Sequence, residues 1–510
     1  MAEIPRSPSP GHSRRRFLGQ AAALGLGFRI VPRHVLGGAG FVAPSEKVTL
    51  AFVGVGSQGL RVMLNFLKQP DVQAVAVCDP NRASADYPQW SPHEFAGAVH
   101  ELLGLDSGWD WLSPDQPIAL TRSRSGTGGV AGREPARKIV EAYQGREKGS
   151  GAARGCAAFA DFRELLERQR DLDAVVVGTP DHLHAAVALE AIRKGKHVFC
   201  QKPMAHTVSE ARRMAEEARR AGVATQVAVM NQSSEDTRRL CEWVAAGAIG
   251  PVRQVLNWSS RPFWAQARER PRETPPVPEG LDWDLWLGPA AGRPYHPAYL
   301  PFVWRGWQDF GTGALGDMGQ YSFDTIFRVL RLEAPTRVEA SSTERFAETF
   351  PAASIVHYDF PARGELPPVR LSWYDGGLRP PRPDVLGEAD EPADEGLLFL
   401  GDDGAILCDF NGRRPRLLPE SRRKTWHEPA ATLPRSPGTL REWLDACKGG
   451  EEKPGARFEV SAPAVEALLL GNVALKAGRA IGWDPAGLKV KGDESAQSAI
   501  NPERRGGWAM

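Results

Sequence analysis

Three groups of residues in this chain have the types and spacing for chemistry. The first is Gly54-x-Gly56-x-x-Gly59, within VTLAFVGVGSQG, with Asp79 twenty residues beyond. In such a pattern the first glycine permits a tight turn, the second lets a pyrophosphate approach the backbone, and the third lets helix and strand pack closely. Ser57 and Gln58 fall inside the turn, where the free N–H groups of a helix start would meet phosphate. An acid ending the next strand is placed to hydrogen-bond ribose hydroxyls. The carboxylate of Asp79 would repel a 2′-phosphate, so the pattern favours NAD over NADP. Arg82, three residues on, reads as a solvated loop residue.

The second group sits where two later apolar runs end. One gives Gly178-Thr179-Pro180-Asp181-His182-Leu183-His184, the other Cys200-Gln201-Lys202-Pro203. Ligands of an open parallel sheet bind beyond the carboxyl ends of its strands. Thr179, Pro180, His184, Gln201 and Lys202 are therefore candidates for contact with a dinucleotide. Lys202, partly desolvated and with a lowered pKa, would bind or deprotonate a substrate hydroxyl. Asn231 follows the next apolar run and is a candidate substrate contact.

The third group lies in GTGALGDMGQYSFDTIFRVL, residues 311 to 330. A helix from about Ala314 places Asp317, Tyr321 and Asp324 at i, i+4 and i+7, on one face. Three polar side chains on one stripe of an otherwise apolar helix read as a substrate site. Lys202, Asp317 and Tyr321 are the candidate catalytic groups.

Elements that would hold these residues in place can be read from periodicity. Apolar runs at 48–53, 72–78, 157–159, 173–177, 197–200 and 224–230 alternate with helical patterns, which predicts a doubly wound parallel sheet over 46–232. Residues 81–132 break the rhythm with Pro, Gly, Ser and three tryptophans, and read as an irregular insertion that packs on something. From 233 to 485 the pattern changes to strand-like runs at 252–259, 337–344, 353–360, 369–374, 396–400 and 404–410, with helices near 234–246 and 462–479. That predicts an α+β domain on a mainly antiparallel sheet. Residues 486–510 read as a tail.

The whole chain narrows the function classes. Its 510 residues carry 63 Lys and Arg against 62 Asp and Glu, which gives no electrostatic footprint for nucleic acid. No run of about 18 apolar residues stands out as a membrane span. The six scattered cysteines form neither a zinc pattern nor a disulfide framework, and no metal site is expected. Residues 1–45 read as a leader and linker. Ser13 to Leu18, SRRRFL, precedes the apolar GQAAALGLG, a pattern similar to a twin-arginine export signal with cleavage near 37–43. Such a leader implies the twin-arginine machinery as a partner and a periplasmic or exported location.

GVGSQG, TPDHLH, QKPM with its following helix, and GALGDMGQYSFD together resemble the Gfo/Idh/MocA oxidoreductases, the family of glucose–fructose oxidoreductase and inositol dehydrogenase. The resemblance covers most of 46–485. LDWDLWLGP and RPYHPAYLPFVWRGW are similar to a bacterial subgroup that often bears export signals. The resemblance implies NAD(P)-linked hydride transfer on a sugar or cyclitol, a Rossmann domain with an α/β partner domain, and a homo-oligomer. Two positions depart from the family pattern: Gln201 replaces a glutamate, and Tyr321 replaces a histidine. Tyrosine is a poor base at neutral pH unless a cation such as Lys202 lowers its pKa; otherwise Lys202, Asp317 or a loop histidine such as His296 would carry the proton. An NAD-dependent glycoside-cleaving enzyme and a non-catalytic NAD-binding sugar sensor are the rival readings. Trp258, Trp264, Trp283, Trp286, Trp304 and Trp307 offer faces suited to sugar C–H groups.

Overall fold

Val48–Val53 and Val72–Cys78 are apolar along most of their length because both faces of a parallel sheet are covered. The computed structural model describes residues 42–119, 125–147, 155–387 and 392–508. The segment up to Lys47 is a unit of its own. Its described part, from residue 42, holds one short turn at Pro44–Glu46. The twin-arginine pattern and nearly all of the expected cleavage region lie outside the described residues. The second unit begins at Val48 and contains the three sheets.

The first half contains β1 (Val48–Val53), β2 (Val72–Cys78), β3 (Ser84–Gln89), β4 (Gln116–Ala119), β5 (Ser125–Ala131), β6 (Ala157–Phe159), β7 (Ala174–Val177), β8 (His197–Cys200) and β9 (Thr225–Val227). Six of them form one sheet in the order β6-β2-β1-β7-β8-β9. Every pair in it is parallel. The order reverses between β1 and β7, so their carboxyl ends open a crevice, the place where such sheets bind ligands. The expected doubly wound sheet is present.

The insertion is more regular than its composition suggested. β3, β5 and β4 pair antiparallel into a small sheet, and Glu94–Leu103 forms a helix beside it. The strands SADYPQ and SGTGGVA carry Pro and Gly, which mask any alternation. Ladder hydrogen bonds supplied by a partner override that weak propensity.

The second half builds a nine-stranded sheet from β10 (Val252–Trp258), β11 (Arg337–Ser342), β12 (Ser354–Phe360), β13 (Val369–Tyr374), β14 (Gly396–Gly401), β15 (Gly404–Cys408), β16 (Arg416–Leu418), β17 (Ile481–Asp484) and β18 (Lys489–Lys491). The order is β16-β15-β14-β10-β13-β12-β11-β17-β18. All pairs are antiparallel except β10 with β13. The helices Gly313–Leu330 and Phe458–Ala477 pack together against it. Phe458–Ala477 has the length and composition of a membrane span, but 78% of its apolar window is buried inside this fold.

Later parts of the chain return to the first sheet. The helix Thr439–Cys447 inserts Trp443 edge-on to Phe66 and Phe199, at 5.6 and 5.5 Å between ring centroids, with no solvent exposure. Residues 486–510 are not simply a tail. They supply the edge strand β18 and a helix at Glu494–Ser498, and Trp508 packs on Phe162.

The Thr439–Cys447 helix is also fastened by charge. Asp71 accepts hydrogen bonds from Arg441 at 2.9 and 2.8 Å and from Lys448. Burial alone would raise the Asp71 pKa, but the two cations overcome it and hold it at about 2, below the ordinary 3.8. A depressed acid contributes stability that is present above its unfolded pKa and lost as pH falls through the folded one. Asp71→Asn is therefore expected to lower stability by about 2 kcal/mol at pH 7. The deficit should shrink between pH 4 and pH 2, as read by urea unfolding across that range.

Candidate active site

The turn after β1 explains its glycines. Gly54 has φ +83°, and a Cβ there would lie 2.5 Å from the backbone of Gly178 and Thr179. A Cβ on Gly59 would stand 1.9 Å from the Gly54 carbonyl oxygen, so the third glycine serves close helix–strand packing, as expected. Gly56 does something not anticipated. Its bare Cα faces the Tyr87 ring of the insertion, and a Cβ would meet Tyr87 Cε1 at 2.6 Å.

A cavity of 540 Å³ runs from this turn to the second half of the chain. Gly54, Gly56, Ser57, Gln58, Asp79, Thr179, Pro180 and Gln201 line one end, and Lys202, Asp317 and Tyr321 the other. The first end is built on the parallel sheet, and the second joins Lys202 of that sheet to Asp317 and Tyr321 of the helix packed on the other, which is why no single stretch of sequence displays the site. Gly59 lies beneath the turn rather than on the cavity wall.

Three assigned residues need correction, since none of them is on the cavity wall. His184 is buried, with Nδ1 2.7 Å from the Pro203 carbonyl and Nε2 2.9 Å from that of Thr179. It ties the two strand-end turns together. Burial lowers its pKa to about 4, so the ring is neutral and has one N–H to share between two carbonyls. Asn231 donates to the Tyr321 carbonyl and to Thr325 Oγ1, both at 2.7 Å, and props the helix from behind. Asp324 shares the stripe of Asp317 but lies two turns along it, where Arg328 engages it at 2.9 Å. His296 is also off the wall; its Nδ1 accepts from the Ala298 N–H.

Charge at the inner end is concentrated on Asp317. Lys202 Nζ donates to Asp317 Oδ1 and to its carbonyl oxygen, both at 2.7 Å, and Arg305 Nε donates to the same Oδ1 at 3.1 Å. Burial would raise the Asp317 pKa, but the two cations hold it at about 2. The expectation of a lowered Lys202 pKa is overturned. Burial does pull it down, yet the charge of Asp317 and then Tyr321 push harder, and the net shift is upward. The ammonium stands 4.7 Å from the centre of the Tyr321 ring, over its face.

Several lining residues were not foreseen. Asp181 is buried, accepts from Thr312 Oγ1 at 2.7 Å, and is raised by burial to about 6. Arg305 comes from the tryptophan-rich loop and lies over Phe302 and Trp304, at 4.6 and 4.2 Å. Trp90 of the insertion meets Phe302 and Phe263 edge-on and bridges the two halves beside the cavity. Of the six tryptophans singled out, Trp264, Trp286 and Trp304 line it, while Trp307 is fully buried and Trp258 is in the core. Arg261 also lines it.

Residues 119–229 match the family description "Oxidoreductase family, NAD-binding Rossmann fold", and residues 243–361 match "Oxidoreductase family, C-terminal alpha/beta domain". Both are descriptions of Gfo/Idh/MocA oxidoreductase domains, and together the two matches span a little under half of the chain. The glycine turn precedes the first match, separated from it by most of the insertion. A 1,5-anhydro-D-fructose reductase from Ensifer adhaerens is 30% identical over 33% of this chain and 40% of its own length. An inositol 2-dehydrogenase from Rubrobacter xylanophilus is 33% identical over 26% of this chain and 42% of its own. A protein named glycosyl hydrolase family 109 protein 1, from Shewanella sp. strain MR-4, is 26% identical over 41% of this chain and 37% of its own. The chain thus spans about two fifths of the length of these curated relatives. Among solved structures, the WlbA dehydrogenase from Bordetella pertussis in complex with NADH and UDP-GlcNAcA aligns over 86% of this chain and 99% of that one. Its TM-score is 0.51 at 15% identity, a likeness of fold.

The residues present suit a dinucleotide. The Thr179 hydroxyl is buried without a protein partner, and the Gln201 amide has none among the described residues. Asp79 accepts from the N–H groups of Val55 and Asn81, both at 2.9 Å, and has lone pairs left for ribose hydroxyls. Among the described residues no cation stands ready for a 2′-phosphate: Arg82 is exposed and off the wall, and Arg133 donates to the backbone carbonyls of Asp79 and Pro80.

Burial raises the Asp79 pKa to about 6, with the two N–H donors and Arg133 opposing it. The carboxylate accepts from ribose more strongly than the protonated acid does. NAD affinity is therefore expected to fall by about tenfold from pH 7.5 to pH 5. Asp79→Asn should flatten that dependence, as read by calorimetry across the range.

Proposed function

We propose that this protein is an NAD-dependent oxidoreductase acting on a secondary alcohol or ketone of a sugar or cyclitol. The observation that carries this reading is one cavity joining the glycine turn, Asp79 and Thr179 to Lys202, Asp317 and Tyr321. The names of the reductase and inositol dehydrogenase relatives point the same way. When bound, the nicotinamide supplies the hydride donor or acceptor. Everything else falls to side chains. An ammonium has three donors; Asp317 takes two from Lys202, which leaves one for a substrate oxygen. Because its pKa is raised, Lys202 rests protonated and suits the delivery of a proton to an oxygen gaining negative charge. That favours carbonyl reduction as the direct direction. Asp317 holds the ammonium in place, and Arg305 holds Asp317.

A second reading has a specific support, the relative named as a glycosyl hydrolase. In it, ring oxidation, elimination of an aglycone and return of the hydride would occur in turn, with Tyr321 beside the acidic C–H. Release of a chromogenic aglycone without net NADH would favour it. Under either reading Lys202→Met is expected to lower turnover by about 100-fold or more, because the positioned proton donor is lost. NADH absorbance with a panel of sugars and cyclitols measures this under the first reading and aglycone release under the second, and an unchanged rate in both assays would remove Lys202 from the mechanism.

The wider proposal is an exported homo-oligomer, released beyond the cytoplasm by the twin-arginine route. It rests on the SRRRFL pattern. No free nicotinamide pool is expected there, so the cofactor would be retained and the reaction redox-neutral overall. Denaturing the purified exported protein should release NAD at roughly one per chain, the limit of tight one-site binding. Protein that arrives empty and binds NAD weakly would point to a cytoplasmic enzyme.

A further inference from the structure

Among the described residues four cations line the cavity, and three of them are neutralised at short range. Arg61 forms a two-pronged pair with Glu94 at 2.5 and 2.9 Å. Lys202 and Arg305 share Asp317. Arg261 differs. The nearest carboxylate oxygen, of Glu395, is 3.6 Å from its Nε, and that oxygen already accepts from Ser259 Oγ at 2.6 Å and from Ser260. The one hydrogen bond its guanidinium makes among the described residues runs from Nη1 to the Met318 thioether, at 3.9 Å, a weak acceptor. A guanidinium carries five N–H donors in a fixed fork, and nearly all of this one's are unspent.

The fork is nonetheless held in place. It lies 4.5 Å from the centre of the Phe263 ring, and Phe263 stacks on Phe302 at 6.0 Å with 16° between planes. The side chain is 32% exposed. Met318 is the neighbour of Asp317, so the unspent donors sit close to the reacting end of the cavity. There, Lys202 and Arg305 are engaged by Asp317, the carboxyl of Asp181 lines the same wall with its pKa raised by burial to about 6, and Arg261 has only the more distant Glu395. Guanidinium donors left unspent on a partly desolvated wall are unfavourable unless a ligand takes them up.

We propose that the substrate is an anionic sugar and that Arg261 reads its charge. The group recognised is a carboxylate or a phosphate ester, whose paired oxygens match the guanidinium fork. Arg261 is thus a specificity-determining residue and Lys202 a proton donor, with the sugar ring lying along the Phe263, Phe302 and Trp264 faces. This inference rests on the sugar-oxidoreductase reading given above.

The test uses the full chain saturated with NAD and three probes: D-glucuronate, D-glucose 6-phosphate and D-glucose. Calorimetry reads binding, and absorbance reads NADH separately. At least one anion is expected to bind about tenfold tighter than D-glucose, with the advantage shrinking as salt is added. A preference for glucuronate assigns a carboxylate, and a preference for the phosphate assigns an ester. Arg261→Gln should bring the anion-to-neutral ratio to within about twofold and raise KM for the anion more than it lowers kcat. Arg261→Lys keeps the charge without the fork and should retain only part of the preference, so it carries the same comparison if the glutamine variant does not fold. Neutral sugar binding as tightly as both anions, or undiminished preference in the variants, overturns the proposal. Absence of NADH with every probe counts against the dehydrogenase reading alone, because binding preference is read independently of it.

Discussion

The carboxylate of Asp317 is shared by a lysine from the end of β8 and an arginine from the tryptophan-rich loop, and the cavity is organised around that sharing. Putting three charges in a desolvated place is costly, and removal of one partner from such a buried set typically costs about 3–5 kcal/mol. The pair therefore fixes more than one side chain. Lys202 belongs to the parallel sheet and Asp317 to the helix of the second one, so their contact sets how the two sheets meet. Asn231 and His184, which proved not to touch the cavity, serve the same end: one braces the Asp317 helix from behind, the other locks the two strand-end turns to each other.

The site is built as a gradient of polarity. At the nucleotide end, backbone N–H groups, a threonine hydroxyl and a raised carboxylate offer hydrogen bonds with little net charge. At the other end, aromatic rings carry guanidinium groups on their faces, and the polar groups are charged. Aromatic walls exclude water and strengthen each charge interaction inside. The insertion belongs to both ends, with Tyr87 pressed on the glycine turn and Trp90 reaching Phe302.

Much of this was legible from the chain alone. The doubly wound parallel sheet and the placement of the glycine turn, Thr179 and Lys202 at strand ends follow from apolar runs and from the rule that such ends face ligands. Asp317 and Tyr321 followed from helical spacing. What failed did so for definable reasons. Asp324 is on the correct stripe, but seven residues of helix advance by about 10 Å, which carries it past the cavity. His184 and Asn231 are near the site in sequence and point away from it. The Lys202 pKa was misjudged because burial was foreseen and the neighbouring carboxylate's pull was not weighed against it. Arg261, Arg305 and Trp90 were missed because irregular loops carry no period, and their positions are set by contacts far away in the chain.

The helix at Thr439–Cys447 and the segment ending in Trp508 close the core of a sheet whose first strand begins at Val48. A ribosome delivers residues in order, so the parallel sheet stays incomplete for as long as it takes to make nearly four hundred more: Phe66 and Phe199 have no Trp443 to pack against, and Asp71 has no cations. The core of the first half is thus completed by residues of the second. During that interval the apolar faces that Trp443 and Trp508 will cover stay open to water, and the core of the first sheet is the last to be sealed.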